Sequence, residues 1–89
     1  NITETIKKLK ENGLWIIGTD GDARTLYYNQ DLKGDIAIII GSEGYGMSRL
    51  VKENTDMLVK IPMKGKVTSL NASVSAGIVM YEAVKQRTK

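Results

Sequence analysis

A glycine-rich segment directly after the most apolar stretch of the chain has the composition of a ligand-binding loop. Residues 36–40 form the strongest strand pattern, and Gly41-Ser42-Glu43-Gly44-Tyr45-Gly46 follows it at once. Glycines at such a place expose backbone N–H groups and allow a ligand to approach closely. The segment matches neither a Walker A loop nor G-x-G-x-x-G, and the Glu43 carboxylate would repel phosphate. It therefore favours a neutral or cationic ligand, or alternatively forms a tight turn with an acidic helix cap.

A second loop with hydrogen-bonding groups follows the next strand pattern. Ile61-Pro62-Met63 ends this strand, and a stretch rich in Lys, Gly and hydroxyl groups leads from there to the last helix. Thr68 or Ser69 is expected to cap that helix, with Asn71 in its first turn. Because parallel strands end at one edge of a sheet, the two loops are expected to open on the same side.

The elements that would hold these loops follow the order α-β-loop-β-α-β-loop-α. Helical spacing of apolar residues covers residues 2–12 and 70–87, and a short helix is expected at 47–54. Strand patterns cover residues 14–17, 36–40 and 57–61, whereas residues 19–35 have the pattern of polar, irregular chain. One face of the last helix carries Leu70, Val74, Ile78, Tyr81 and Val84. Continuously apolar strands between helices predict a parallel α/β sheet in a single domain, residues 1–89.

Composition excludes several classes of chemistry within these 89 residues. The sequence has no His and no Cys, which excludes thiolate catalysis, Ser-His-Asp hydrolysis and the usual zinc sites. Apolar residues make up 42% and charged residues 26%, as in an ordinary folded protein. The longest apolar run, residues 36–40, is far below the roughly 20 residues that span a bilayer. Neither a metal ion nor a membrane partner is expected.

Basic residues are concentrated in the second half of the chain. Residues 1–46 carry 5 basic and 7 acidic groups, whereas residues 47–89 carry 8 basic and 3 acidic groups. Lys60, Lys64 and Lys66 lie close together in sequence, with no acidic residue between Asp56 and Glu82. This asymmetry fits a polyanionic partner, but a solvated basic edge would give the same pattern.

Taken together, the two loops resemble the second and third motifs of the SpoU/TrmH-type RNA ribose methyltransferases, which belong to the SPOUT superfamily. The matching segments are Ile38-Ile39-Ile40-Gly41-Ser42-Glu43-Gly44-Tyr45-Gly46-Met47-Ser48, Ile61-Pro62-Met63 and Ser69-Leu70-Asn71-Ala72-Ser73-Val74-Ser75. Ile16-Ile17-Gly18-Thr19 also resembles the strand that precedes the cofactor in this family. The resemblance therefore covers essentially the whole chain.

The resemblance implies a parallel-sheet α/β fold with a C-terminal trefoil knot, here without the N-terminal strands of the full domain. It implies that the knotted loops bind S-adenosylmethionine and that the protein is a homodimer to which the final helix contributes. The cofactor contacts implied by motif position are Thr19, Gly41, Gly44, Gly46, Ile61, Met63, Ser69 and Leu70. Asn71 and Glu43 are implied as supporting residues of the catalytic site.

The family's first motif, an Asn followed by Gly and then a catalytic Arg, has no match in this chain. Neither Arg24 nor Arg49 fits its pattern. The resemblance thus implies the C-terminal, cofactor-binding part of an enzyme that methylates the ribose 2′-hydroxyl of RNA, with these residues inactive alone. Arg49, Lys64 and Lys66 are the expected RNA contacts. A guanosine of ribosomal RNA is expected rather than tRNA, in a cytoplasmic protein; a binding and dimerisation module and an interaction scaffold remain alternatives.

Overall fold

The structure, a computed structural model, describes residues 1–41, 47–64 and 71–88. Helices and strands follow the predicted order along these residues, with one additional strand. The helices are α1 (Ile2–Glu11), α2 (Arg49–Asn54) and α3 (Ala72–Arg87). The strands are β1 (Trp15–Thr19), β2 (Thr25–Leu26), β3 (Ile36–Ile39) and β4 (Met57–Lys60). The predicted boundaries agree with these to within two residues.

Strand β1 is central in a sheet of order β2-β4-β1-β3, in which every pairing is parallel. Ile17 lies opposite Ile38 of β3 on one side and opposite Met57 of β4 on the other. Parallel pairing at this register brings the carboxyl ends of β1, β3 and β4 to the same edge. The parallel α/β fold expected from the sequence is confirmed.

Successive side chains of β1 enter two different apolar layers. Ile16 and Ile17 are both fully buried, on opposite faces of the sheet. The layer on the Ile16 side, beneath α1 and α2, is built from Ile6, Ile16, Met47 and Val51. The layer on the Ile17 side, beneath α3, is built from Ile17, Leu32, Val59, Val79 and Ala83. Because both faces are covered, the strands can be apolar throughout, which explains the continuous pattern in the sequence.

The stretch predicted to be irregular contains a fourth strand. Strand β2 pairs Thr25 with Val59 and Leu26 with Lys60, and it runs directly into a 3₁₀ turn at Tyr27–Asn29. The prediction of three strands is therefore wrong. A strand of two residues has no periodicity of its own, and only its partner β4 identifies it.

Helix α1 ends where the Asn12-Gly13 pair predicts. Gly13 has a φ of 86°, a left-handed conformation that glycine adopts without steric cost. Its N–H donates to the carbonyl of Lys10 at 3.0 Å, and the N–H of Leu14 donates to the carbonyl of Leu9 at 3.1 Å. These two bonds form a Schellman motif, which satisfies the last carbonyls of the helix and turns the chain into β1.

Helix α3 buries a different face from the apolar one that the sequence outlines. The residues facing the core are Ser75, Val79, Glu82 and Ala83. By contrast, Val74, Tyr81 and Val84 are 47%, 72% and 53% exposed. The apolar stripe of this helix therefore lies on the surface of the chain.

Polar bonds hold the C-terminal half of α3 against the loop that precedes β3. The Gln86 side-chain amide donates to the carbonyl of Gln30 and to the carboxylate of Glu82, both at 2.9 Å. Its oxygen accepts from the N–H of Leu32 at 2.8 Å, and the Arg87 guanidinium donates to the Leu32 carbonyl at 2.9 Å. Buried polar groups that are hydrogen-bonded in this way are tolerated, which allows the inner face of α3 to be partly polar.

Candidate functional site

The ends of three neighbouring strands carry predicted site residues. Thr19 ends β1, Gly41 follows β3, and Ile61 follows β4. The N–H of Gly41 donates to the Thr19 hydroxyl at 3.3 Å, so these two residues are in direct contact. Ile61 is half-buried and Met63 is 36% exposed beyond the end of β4. The structure thus brings the described cofactor candidates to one edge of the sheet.

Close packing around Gly18 fixes the chain on the far side of the glycine-rich segment. A Cβ at Gly18 would lie 2.5 Å from the Met47 Cε and 3.1 Å from methyl carbons of Thr55 and Leu58. Met47 is the first described residue after segment 42–46, and it is only 8% exposed. The absence of a side chain at Gly18 therefore lets Met47 enter the core directly beside β1.

Asp20 and Lys52 form an ion pair next to this edge, which the sequence analysis missed. The Lys52 Nζ lies 3.3 Å from the Asp20 Oδ2, and these side chains are 34% and 10% exposed. The N–H of Asp20 also donates to the Val59 carbonyl at 2.9 Å. In the sequence, Asp20 indicates only a turn after β1, because its partner stands in a distant helix and no local spacing links the two.

The described RNA candidates lie on the surface. Ser48 caps α2 by accepting from the N–H of Val51 at 3.3 Å, and Arg49 opens the helix behind it. The Arg49 side chain is 93% exposed and donates to Glu53 at 3.0 Å. Lys64, beyond β4, is also exposed. Both cations are accessible to a polyanion, and their role in RNA binding stays a prediction.

Asn71 is the N-cap of α3 rather than a residue of its first turn. Its Oδ1 accepts from the N–H of Val74 at 2.9 Å, and the helix begins at Ala72. The prediction that Thr68 or Ser69 caps this helix is therefore wrong. A side-chain carbonyl at the cap satisfies one of the helix's unbonded N–H groups, a position for which Asn is well suited. The cap bond uses the side-chain oxygen of Asn71, which leaves the side-chain NH2 group to meet a ligand.

Several predicted residues and the predicted knot depend on segments outside the described residues. These residues are Glu43, Gly44, Gly46, Lys66, Ser69 and Leu70. Their roles stay predictions, as does the trefoil knot, which involves the segment that leads into α3.

Within residues 1–41, 47–64 and 71–88, no group of three or more acidic residues, His or Cys could hold a metal ion. None of the helices described is long and apolar enough to cross a membrane.

An open groove of about 460 Å³ runs along the exposed apolar stripe of α3. Its lining residues are Tyr27, Val74, Gly77, Ile78, Tyr81 and Glu82. The groove does not include any of the candidate cofactor residues at the strand ends. Because the groove is apolar, it suits a packing contact better than the more polar site at the strand ends does.

Comparison with known proteins gives a consistent result. The model of the SpoU rRNA Methylase family matches residues 1–81. YacO of Bacillus subtilis strain 168, named for the TrmH family of tRNA/rRNA methyltransferases, is 54% identical over 87 residues, which cover 98% of this chain and 35% of YacO. RlmB of Pseudomonas putida strain KT2440, named 23S rRNA (guanosine-2′-O-)-methyltransferase, is 51% identical over 98% of this chain and 35% of its own.

The fold also matches solved structures. The SpoU methyltransferase AviRb from Streptomyces viridochromogenes, solved in complex with AdoMet, has a TM-score of 0.81 and 31% identity over 97% of this chain. This match covers 35% of the AviRb chain. The present chain spans about a third of the length of these relatives.

Proposed function

The chain belongs to the SpoU rRNA methylase family, and on that premise we propose that its protein methylates the ribose 2′-hydroxyl of RNA with S-adenosylmethionine. The observation that carries the proposal is the contact between Thr19 and Gly41, where the N–H at the start of the glycine-rich loop donates to the hydroxyl at the end of β1 at 3.3 Å. This contact joins the end of β1 to the start of the glycine-rich loop, at the edge where parallel α/β sheets bind ligands. The name of RlmB and the cofactor bound to AviRb support the reaction and the methyl donor.

The described residues fit this cofactor. An adenosyl group needs apolar contacts and backbone hydrogen bonds. The half-buried Ile61 and the exposed Met63 offer the apolar side chains, and the backbone at the strand ends offers the hydrogen-bonding groups. The nearby Asp20 carboxylate is paired with the Lys52 ammonium. The described part of the edge therefore carries little net charge and would not repel the positively charged sulfonium of the cofactor. The bound cofactor would supply an electrophilic methyl group. Thr19, Gly41, Ile61 and Met63 would hold it, together with Gly44, Gly46, Ser69 and Leu70.

Asn71 and Glu43 are proposed as supporting residues of the reaction. The Asn71 side chain is fixed by its cap bond to Val74 at 2.9 Å, which leaves its amide group in a defined place at the start of α3. From there it can orient the acceptor ribose by hydrogen bonding. Glu43 would shape the site from the glycine-rich loop.

We further propose a guanosine of ribosomal RNA as the target, and with it a cytoplasmic location. The name of RlmB states this specificity, and its sequence is 51% identical to the present chain over 87 residues. The name of YacO includes both tRNA and rRNA, so tRNA is the alternative substrate.

The proposal is tested with the intact protein, tritium-labelled S-adenosylmethionine, and either 23S rRNA or tRNA. We expect label in rRNA, in a nuclease-resistant dinucleotide that contains guanosine, because a 2′-O-methyl group blocks cleavage of the adjacent bond. Label on tRNA alone would replace the proposed substrate. Label on a base, or none in either RNA, would contradict the proposed reaction.

Topology supports a knot in the C-terminal part of the catalytic domain, which is the part we assign to this chain. Strand β4 is last in sequence, yet it lies between β1 and β2. The segment that joins β1 to β2 is held against β4 by the bond from the Asp20 N–H to the Val59 carbonyl. The end of β4 therefore lies against the segment that a knotted chain would have to pass.

Arg49, Lys64 and Lys66 are proposed to contact RNA phosphates. If Lys64 neutralises one phosphate, Lys64→Ala should reduce the slope of log K against log salt concentration by about 0.7 to 1. The measurement is filter binding of rRNA to the intact protein at several salt concentrations. Lys7→Ala, at an exposed position of α1, is the matched control and should leave the slope unchanged. Equal slopes for Lys64→Ala and the unsubstituted protein would make Lys64 a solvated surface charge.

The homodimer implied by the resemblance is proposed to form through α3. Tyr81, Met80 and Val84 are 72%, 57% and 53% exposed, an unusual concentration of large apolar side chains on one helix. The groove along the same helix offers space for a partner's side chains. Such a surface is typical of an interface, because exposure of an apolar patch of this kind to water is unfavourable.

A further inference from the structure

We infer that Asp20 and Lys52 are positioning residues for the cofactor site, and that their ion pair fixes the chain on the C-terminal side of the glycine-rich loop. The inference rests on the proposed function, since it concerns the affinity of that same site for S-adenosylmethionine. Neither residue belongs to the motifs that carry the family resemblance. Their role follows from the contacts that surround segment 42–46.

Three consecutive residues of β1 and the turn after it each hold a different point of the chain around segment 42–46. The Thr19 hydroxyl accepts from Gly41, just before this segment. Gly18 receives the Met47 side chain, just after it. Asp20 pairs with Lys52 in α2, the helix that follows. Residues 18–20 therefore determine how far apart the two ends of the segment lie.

Asp20 is a rigid anchor in this arrangement. Its N–H donates to the Val59 carbonyl at 2.9 Å, and its own carbonyl accepts from the N–H of Ala23 at 3.1 Å. The carboxylate thus projects from a backbone fixed on both sides, and its side chain is only 10% exposed. A carboxylate this buried is costly without its cationic partner, so loss of Lys52 should move the anchor or the helix.

Helix α2 is short, and its C-terminal end is held by a bond from the Lys10 Nζ to the Asn54 carbonyl at 3.4 Å. It has six residues, and Val51 is its buried residue. Val51 and the neighbouring Met47 set its depth in the apolar layer, whereas the Lys52 side chain reaches the strand ends and restricts its rotation. A small rotation of α2 would shift Met47 and the end of the loop, which is enough to weaken a site that binds through backbone groups.

A second ion pair of the same kind provides a matched control. The Lys10 Nζ lies 3.5 Å from the Asp56 Oδ1, and their side chains are 41% and 17% exposed. The Asp56 carboxylate also accepts from the N–H of Ile16 at 2.7 Å, near the amino end of β1. Loss of Lys10 therefore removes a comparable pair that holds the C-terminal end of α2 near the amino end of β1, and it separates a general loosening of this helix from loss of the link at the strand ends.

The test measures the affinity of the intact protein for S-adenosylmethionine by calorimetry and its Tm without the cofactor. We expect Lys52→Met and Asp20→Asn each to raise the Kd about tenfold, and the double variant to raise it no further, because both remove the same interaction. Lys10→Met should lower the Tm by a similar amount but change the Kd less than twofold. Lys52→Arg should restore most of the affinity.

Equal Kd values for Lys52→Met and Lys10→Met would overturn the inference and reduce the Asp20–Lys52 pair to a contribution to stability. Independent, additive effects of Asp20→Asn and Lys52→Met would also overturn it. If the unsubstituted protein did not bind S-adenosylmethionine, the proposed function itself would fall, and the inference with it. The three results differ and cannot be confused.

Discussion

Tyr81→Glu should convert a dimer of the intact protein into monomers. Tyr81 is 72% exposed at the centre of the apolar stripe of α3 and lines the groove on that helix. Burying an added carboxylate in such a contact would leave a charge without a partner. In a two-fold symmetric dimer, each substitution acts on both copies of the surface, so its cost is counted twice.

The size of this effect can be estimated from the contribution of interface tyrosines. A central tyrosine typically contributes about 2 kcal/mol to an interface, and two copies would raise the dissociation constant on the order of 10³-fold. Sedimentation velocity over a range of concentrations measures the change directly. Ile2→Glu is the matched control, because Ile2 is 54% exposed on α1, which covers the other face of the sheet.

Two outcomes would contradict an interface at α3. One is an unsubstituted protein that remains monomeric at micromolar concentration. The other is a Tyr81→Glu protein that dimerises as tightly as the Ile2→Glu protein. The second outcome would leave the apolar stripe exposed without an assigned partner.

The same helix shows what hydrophobic spacing can and cannot predict. Val74, Ile78 and Tyr81 lie on one face, as the sequence indicates, but Val74 and Tyr81 are about half exposed or more. Spacing identifies an apolar face without saying whether the chain's own core or another molecule covers it. The face that α3 does bury contains Ser75 and Glu82, and the Gln86 side chain satisfies the buried Glu82 carboxylate by a hydrogen bond.

The strands and the shared edge could be predicted because their signals are local. Continuous apolar runs at β1, β3 and β4 identify strands buried on both faces, and parallel strands must end at one edge. The contact of Gly41 with Thr19 follows from this rule once β3 is placed beside β1.

Other parts depend on pairs that are distant in sequence and have no pattern of their own. Strand β2 exists only through its pairing with β4. Lys52 reaches Asp20 from a different element, and Gln86 reaches the loop before β3 from the end of the chain. Each of these contacts is made possible by the tertiary fold, so residue types alone could not have indicated them.

The last prediction is that residues 1–89 alone do not methylate RNA. A ribose 2′-hydroxyl is a very weak acid and must lose its proton as it attacks the methyl group. General-base assistance typically contributes about 10²- to 10⁴-fold, and these residues contain neither a His nor the family's first-motif Arg. Arg49 lies on the surface of α2 with its side chain 93% exposed, and Arg87 donates to the loop before β3. Arg24 is exposed on the surface and does not match the motif.

Binding and chemistry should therefore separate in this chain. The measurement is tritium transfer from labelled S-adenosylmethionine to rRNA by residues 1–89 alone, by the intact protein, and by residues 1–89 mixed with the remainder of the catalytic domain. Circular dichroism and cofactor binding establish that the chain alone is folded. We expect a rate at least about 10²-fold below that of the intact protein, with partial recovery in the mixture, since the missing base assistance alone accounts for that factor. Turnover by residues 1–89 at the intact rate would show that a group within them, Arg49 or Glu43, activates the hydroxyl.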